Sequence, residues 1–494
     1  MSEVEHPEKI DVAQKSSGPR SRVIPIAPSS GDDSGALYEV RKKIYPRALS
    51  GWFATWRWVL VAITQAVFYL TPWLRWNGRP LMLFDLAARK FFIGSFVFWP
   101  QDFIYLSLLL IASALALFLF TALGGRLWCG YACPQTVYTE LFLLIERKVE
   151  GNRHEQLRLD RGPRDFERLA KKTIKHVLWI LLSLYTGLTF VGYFTPIRTL
   201  IPEIWNFGVG PWETFWVFFY GFATYGNAGF MREQVCKYMC PYARFQSAMF
   251  DRDTLIVTYD VQRGEPRGSR SRSADLATLG LGSCVDCGVC VEVCPTGIDI
   301  REGLQYECIG CAACIDGCNQ IMGKMGYPPG LIRYTTENAL DGHWSKAYMW
   351  RRLVRPRVLA YAAILIALVG GTIGSLVTRV PLQMDVMRDR KALSRAITVE
   401  GQSGWIENTY RLQIMNMDEE PHRYRISVSG LPGIALEDSP EILIDSTESR
   451  TLAINARIPP EQLEPGSHHI FLKIEAEDAP RIQRIEQAAF LLPL

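Results

Sequence analysis

Five apolar runs, each roughly 18–21 residues long, constrain this chain more than any other feature, because a segment of that length crosses a bilayer core as a helix. They cover residues 56–73, 103–123, 176–194, 212–230 and 358–377, and the second carries no charge. In the last, Gly370 and Gly374 stand four residues apart, a spacing that lets helices approach closely. The run 83–99 is apolar too, but Asp85, Arg89 and Lys90 break it. An interfacial or re-entrant helix is expected there rather than a sixth span. Hydrophobic residues make up 48 % of the chain and charged ones 21 %, so part of it lies in lipid and part in water. A net charge of +4 over 494 residues gives no argument for nucleic-acid binding.

Loop charge sets the expected orientation. Residues 124–175 hold eleven Lys and Arg, whereas 196–211 hold only Arg198. Arg41, Lys42, Lys43 and Arg47 precede the first run. Basic loops stay on the cytoplasmic side, which places the N-terminus, 124–175 and 231–357 inside and the C-terminus outside. The four basic residues of 75–102 fit this topology least well. Residues 1–50 read as a disordered, basic tail rather than a signal peptide, since no apolar core follows closely.

All twelve cysteines fall in motifs. Cys284, Cys287, Cys290 and Cys294 follow C-x2-C-x2-C-x3-C-P; Cys308, Cys311, Cys314 and Cys318 repeat the run after thirteen residues, with Asn319 in place of the proline. This duplicated spacing is that of a two-cluster bacterial ferredoxin, in which the fourth Cys of each run ligates the other cube. Cys284, Cys287, Cys290 and Cys318 are therefore assigned to one [4Fe–4S] cluster, and Cys308, Cys311, Cys314 and Cys294 to the second. Zinc sites take four ligands in two pairs, and a reducing compartment argues against disulfides.

The other four cysteines form an internal repeat. Cys129-Gly-Tyr131-Ala-Cys133-Pro134 follows the second run, and Cys236-Lys-Tyr238-Met-Cys240-Pro241 the fourth. Proline after each second Cys suits the first turn of a new helix. If the two halves pack together, four thiols meet at the cytoplasmic membrane face. Such soft donors suit Cu(I), a third iron–sulfur cluster or zinc, and two redox-active dithiols are an alternative. Arg126 and Lys237 nearby are expected to favour the thiolates. Cysteine placement and loop charge point to the same inner side.

There is no dinucleotide fingerprint, P-loop or H-E-x-x-H, so a separate electron donor is required. The spans hold no His or Met pairs for haem; His176, at the expected inner start of a span, reads as an interfacial residue. Beyond about residue 398, alternating strands at 410–416, 424–428, 451–455 and 469–474 are separated by Gly and Pro turns. Roughly seven strands over this length suit an immunoglobulin-like β-sandwich, a domain type that commonly binds another protein. Met384, Met387, Met415, Met417, His422, His468 and His469 are scattered through this region and read as strand and linker residues before they read as copper ligands.

The domain order is then a tail (1–50), a four-helix membrane domain (51–250), a cytoplasmic two-cluster ferredoxin-type domain (251–345), a fifth transmembrane helix (346–380) and a periplasmic immunoglobulin-like domain (381–494). The spans, the two C-x-Y-x-C-P motifs, the paired ferredoxin runs and the terminal sandwich together resemble the FixG/CcoG (RdxA) cytochrome c oxidase accessory proteins, over about residues 36–494. The resemblance implies a multi-pass protein of the bacterial inner membrane that helps assemble a haem–copper oxidase. It implies reduction of Cu(II) to Cu(I), and as partners copper ions, oxidase assembly factors and a copper importer or chaperone. A general membrane electron carrier and a redox-sensing assembly scaffold are the alternative readings.

Overall fold

The computed structural model describes residues 43–274, 279–342, 344–388, 394–399, 402–438, 440–459 and 464–492. Most of the expected N-terminal tail, residues 1–42, lies outside them.

Among the described residues, four helices are long and apolar enough to cross a membrane: Trp52–Trp73, Pro100–Gly124, Phe166–Val191 and Pro356–Thr378. Their α-helical parts are α1 (Trp52–Leu70), α2 (Phe103–Gly124), α5 (Phe166–Val191) and α9 (Pro356–Thr378). Between α2 and α5 lie α3 (Leu127–Tyr131) and α4 (Pro134–Glu150). The run 212–230 does not stay regular. Its α-helix, α6 (Pro211–Thr224), passes into a π-helical segment at Tyr225–Met231. Gln135 Nε2 donates to the carbonyls of Asn227 and Arg232, each at 3.0 Å, bracing a turn whose backbone is also closed by the Arg232 N–H to Asn227 O bond at 2.7 Å. α5 starts ten residues before the expected span, at Phe166, because Asp165 accepts from the Arg168 N–H at 2.9 Å and caps it. His176 therefore lies inside the helix, 3.0 Å from the Tyr225 hydroxyl, and is not its first residue.

Residues 83–99 are not a helix. Met82–Asp85, Lys90–Ile93 and Phe96–Phe98 form an antiparallel three-stranded sheet. Gly94, with φ +60°, makes the second turn. Leu83, Phe92, Val97 and Trp99 bury their side chains against Met415 and Met417 of the C-terminal region, a partner more than three hundred residues away that only the fold supplies.

The C-terminal region is a two-sheet antiparallel sandwich, with nine strands among the described residues. One sheet runs Ala435–Leu436, Ser449–Ile458, Gln402–Asn416, Leu382–Arg388, with Arg395–Val399 also on Gln402–Asn416. The other runs Glu441–Ile444, His422–Ser429, Gly466–Ala476, Gln483–Leu492. Alternation along Gly466–Ala476 buries Ile470, Leu472 and Ile474, as a half-buried strand requires. Met384 is in the same core, and His422 is held between carboxylates. His468 and His469 bond to Glu464 and Gln487 instead.

The helices place two assemblies at opposite ends. At one end, Lys90 Nζ reaches the Thr447 carbonyl at 2.8 Å, Arg79 pairs with Glu419 at 2.9 Å, and Arg379, just after α9, pairs with Asp102 at 2.6 Å. At the other end, Arg355, just before α9, pairs with Asp251, and the backbone of α1's first turn meets the cysteine-rich region.

Candidate functional site

The ferredoxin-type region is built on a helix that carries two of its cysteines, α8 (Ala313–Met325), and on a two-stranded ribbon, Ile256–Tyr259 with Ile332–Thr335. All twelve cysteines are free thiols, and Cys287 alone is exposed. One cavity is lined by Cys284, Cys287, Cys290 and Cys318, beside Tyr259, Arg301 and Met322. A second is lined by Cys294, Cys308, Cys311 and Cys314, with Cys290 also on its wall. Each cavity thus takes three thiols from one run and the last thiol of the other. Burial pushes the Cys308 and Cys318 thiols up to about 12 and Cys290 up to about 11, the last opposed by Arg301. Buried neutral thiols that shed protons on metal binding are a donor set that fits iron–sulfur cubes.

The C-x-Y-x-C-P repeats lie next to this region, in unequal backbone settings. Cys129 is in α3 and Cys133 caps α4, whose first residue is Pro134. Cys236 is in a π-helical turn, Val235–Met239, and Cys240 caps α7 (Pro241–Met249). Cys133 lies within electrostatic reach of Cys129, Cys236 and Cys240, so the two repeats are neighbours. Burial pushes Cys129 up to about 12, with Cys133 adding to it and Arg126 opposing. Cys236 is pushed up to about 11 by burial and by Cys133 and Cys240. Arg126 favours the Cys129 and Cys236 thiolates as expected, but desolvation is larger, and Lys237 lies 3.4 Å from Glu307. Among the described residues no three His, Cys, Asp or Glu side chains gather as they would around a single ion. That holds for the ferredoxin cavities and for the four membrane thiols alike.

Contacts that sequence patterns could not show join the two groups. Gly130 packs on the Gly310–Cys311 backbone so closely that a Cβ there would lie 2.9 Å from the Cys311 N and Cα atoms. Cys129 packs against the core that contains Cys311, and its thiol donates to Gln246 Oε1 at 3.4 Å. Arg126 spans the junction, donating to the Tyr306 and Cys308 carbonyls on one side and to Ala243 O, at 2.6 Å, on the other. The Tyr334 hydroxyl donates to Gly310 O and holds the same loop from below. Gly130 and Tyr131 sit inside the repeated motif, so their positions were visible; what they touch was not.

Comparison with known proteins agrees with this architecture. Residues 231–337 match the family model of a 4Fe–4S dicluster domain, 372–493 that of the IG-like fold at the C-terminal of FixG, and 106–151 that of a 4Fe–4S binding domain. Protein RdxA of Cereibacter sphaeroides is 42 % identical over 412 residues, covering 81 % of this chain and 85 % of that protein. The chain belongs to the FixG/RdxA family. Nitrogen fixation protein FixG of Rhizobium meliloti is 37 % identical over 433 residues, 81 % of this chain and 82 % of its own length. Protein RdxB of Cereibacter sphaeroides is 38 % identical over 434 residues, 86 % of this chain and 90 % of its own. As a FixG/RdxA protein, the chain is a membrane iron–sulfur electron-transfer protein.

Proposed function

We propose that this protein assists assembly of a haem–copper cytochrome c oxidase by reducing Cu(II) to Cu(I) at Cys129, Cys133, Cys236 and Cys240. The observation that carries the reading is the Gly130–Cys311 contact, which sets the four-thiol group directly against one ferredoxin-type cavity. Clusters held by Cys284, Cys287, Cys290 and Cys318, and by Cys294, Cys308, Cys311 and Cys314, would supply one-electron storage there. Each Cu(II) takes one electron, drawn from a reduced carrier in the cytoplasm, and copper binding exchanges thiol S–H bonds for S–Cu bonds. Thiolates favour the soft Cu(I) product, and their protons leave as copper binds and return when it passes to an importer or chaperone. Gln246 and Arg126 hold the Cys129 turn in place while this occurs.

A second reading has its own support. The 4Fe–4S binding domain matched at 106–151 encloses Cys129 and Cys133 and no other cysteine, which favours a third iron–sulfur cluster and a general electron carrier. Cys129→Ser and Cys240→Ser separate the two. On the copper reading these variants keep their iron and lose copper binding and cupric reduction. A loss of iron in proportion to one cluster, with copper binding unchanged, would refute it.

We also infer five membrane crossings in the bacterial inner membrane, with the ferredoxin-type region cytoplasmic and the sandwich periplasmic. The Tyr193–Phe68, His176–Tyr225 and Arg379–Asp102 contacts make α1, α2, α5, α6 and α9 run alternately, which with the basic residues of 124–175 supports this topology.

A further inference from the structure

Of the twelve thiols Cys287 alone is exposed, so the cavity that it lines with Cys284, Cys290 and Cys318 is the one that reaches solvent. The other cavity shares Cys290 with it and is covered by Gly130 and Arg126 of the membrane half. An electron arriving from water therefore meets the outer group first, and the inner group lies between it and the membrane thiols.

The stretch 263–272 borders this outer cavity and is basic: it holds Arg263, Arg267, Arg270 and Arg272 against one acid, Glu265. Its backbone is stitched to the first cysteine run, with the Ser283 N–H donating to Arg263 O at 2.8 Å and the Gly268 N–H to Cys284 O at 3.4 Å. Arg270 donates to the carbonyls of Gly282 at 2.7 Å and Cys284 at 3.2 Å, and to the Tyr327 hydroxyl at 3.1 Å. Arg263 donates to the Pro328 and Pro329 carbonyls, and Arg272 is exposed. Among the described residues no carboxylate pairs with the guanidinium of any of these three, and a guanidinium bonded only to neutral acceptors keeps its full charge. Arg267 is held loosely by Glu265 at 3.6 Å and Asp286 at 3.9 Å. Arg301, on the cavity wall, is matched by Asp299 and Asp286. Glu302 beside it is exposed and has no cation partner among the described residues. Three uncancelled arginines against one such acid leave the rim positive.

We propose that this rim is the docking surface for a small, soluble one-electron carrier protein with an acidic face, which delivers its electron at Cys287. The carrier is oxidised by one electron and the group held by Cys284, Cys287, Cys290 and Cys318 is reduced by one; no proton moves and no bond forms or breaks. Opposite charge on the two faces speeds encounter and fixes orientation more than it adds affinity. That suits a partner which must leave after each transfer, as weak electron-transfer encounters do. The inference names the class of reduced carrier that cupric reduction calls for. It rests on the two-cluster reading of residues 284–318 and holds whichever metal the membrane thiols take.

Stopped-flow reduction of the purified full-length protein by an acidic flavodoxin hydroquinone tests it, together with calorimetric binding of the oxidised flavodoxin. Reduction should be fast at low ionic strength and about tenfold slower at about 0.5 M salt. Arg272→Glu should slow reduction and weaken binding about tenfold at low salt, and much less at high salt. Arg272→Lys, which keeps the charge, should behave as wild type. Arg164→Glu, the same charge change in the loop before α5, should have little effect. Reduced methyl viologen, a small cation, reaches the metal groups without docking, and none of these variants should slow it. If flavodoxin neither binds nor reduces the protein, if its rate is indifferent to salt, or if Arg272→Glu and Arg164→Glu act alike, the inference is wrong. Reduction by a membrane quinol but not by flavodoxin overturns it too. A protein in which viologen reduces no pair of four-iron centres overturns the two-cluster reading instead.

Discussion

The Asp316 carboxylate accepts the backbone N–H of Ala54 at 2.9 Å, so a residue between two ferredoxin-type cysteines caps the first membrane helix. Its other oxygen is 3.4 Å from the Phe53 N–H. Two otherwise orphaned donors of α1 are met by a side chain more than two hundred residues away, and the negative charge sits at the positive end of the helix. Asp316→Ala should cost about 1–2 kcal/mol, the usual value of a lost cap, read as earlier loss of cluster absorbance on heating. Asp316→Asn keeps an acceptor and should cost less. Equal stability of all three proteins would show that the cap does not couple the two halves.

Gly130 makes a sharper prediction. A Cβ at that position would meet Cys311 backbone, which cannot swing aside as a side chain tip can. Gly130→Ala should force α3 off the Cys311 loop, cost about 1–3 kcal/mol by overpacking, and slow electron delivery to the membrane thiols with iron content retained. Gly323 in α8 is the control, because nothing lies within 4 Å of a Cβ placed there. Gly323→Ala should be neutral or stabilising by about 0.5–1 kcal/mol. Parallel measurement of melting and of reduction rate in both variants decides the point.

Local chemistry was legible and remote contact was not. The cysteine spacings name their own chemistry, and the prolines after Cys133 and Cys240 begin α4 and α7 as their missing N–H groups allow. Alternation gave the sandwich strands. Residues 83–99 were misread because hydrophobicity was weighed above period. Val97 and Trp99, two apart and both buried, carry a strand signal, and Gly94 marks a turn. The break of α6 into a π-helical segment is braced by Gln135 from another helix, a contact that only the fold supplies. Arg57 belongs to no sequence motif, and only the fold pairs it with Glu140 at 3.5 Å.

His422 predicts a pH dependence of the sandwich. Burial would lower its proton affinity, but Asp478 at 2.7 Å and Asp418 at 3.3 Å outweigh it and hold the imidazole above its ordinary value. A folded state that binds the proton more tightly gains stability that is whole below about pH 6.5, the unfolded value. That gain is lost as pH rises through the raised folded value. Both carboxylates are partly exposed, so each pair is worth ~0.2–1 kcal/mol. The melting temperature of the sandwich should therefore fall as pH rises above about 6.5, and His422→Gln should flatten the slope. A slope unchanged by the substitution would mean that another group titrates.

Opposite ends of the helices make the last prediction. Lys90, Arg79 and Gln101 all bond to the sandwich, through Thr447, Glu419 and Asp385, so residues 75–102 and the sandwich must share one side of any membrane the helices cross. The cysteine-rich region sits at the other end, tied to α1 by Asp316 and to the start of α9 through Arg355 and Asp251. Arg126 and Arg153, from the basic stretch 124–175, bond to the cysteine-rich region at that second end, and on the proposed topology that end is the inner one. Reporter fusions that are active only outside should therefore signal when inserted in 86–89, in 206–210 or after residue 492, and stay silent near Gly330. An external signal at Gly330 would invert the topology, and unlike signals from 86–89 and from the end of the sandwich would contradict the packing of Leu83, Phe92 and Trp99 on Met415 and Met417.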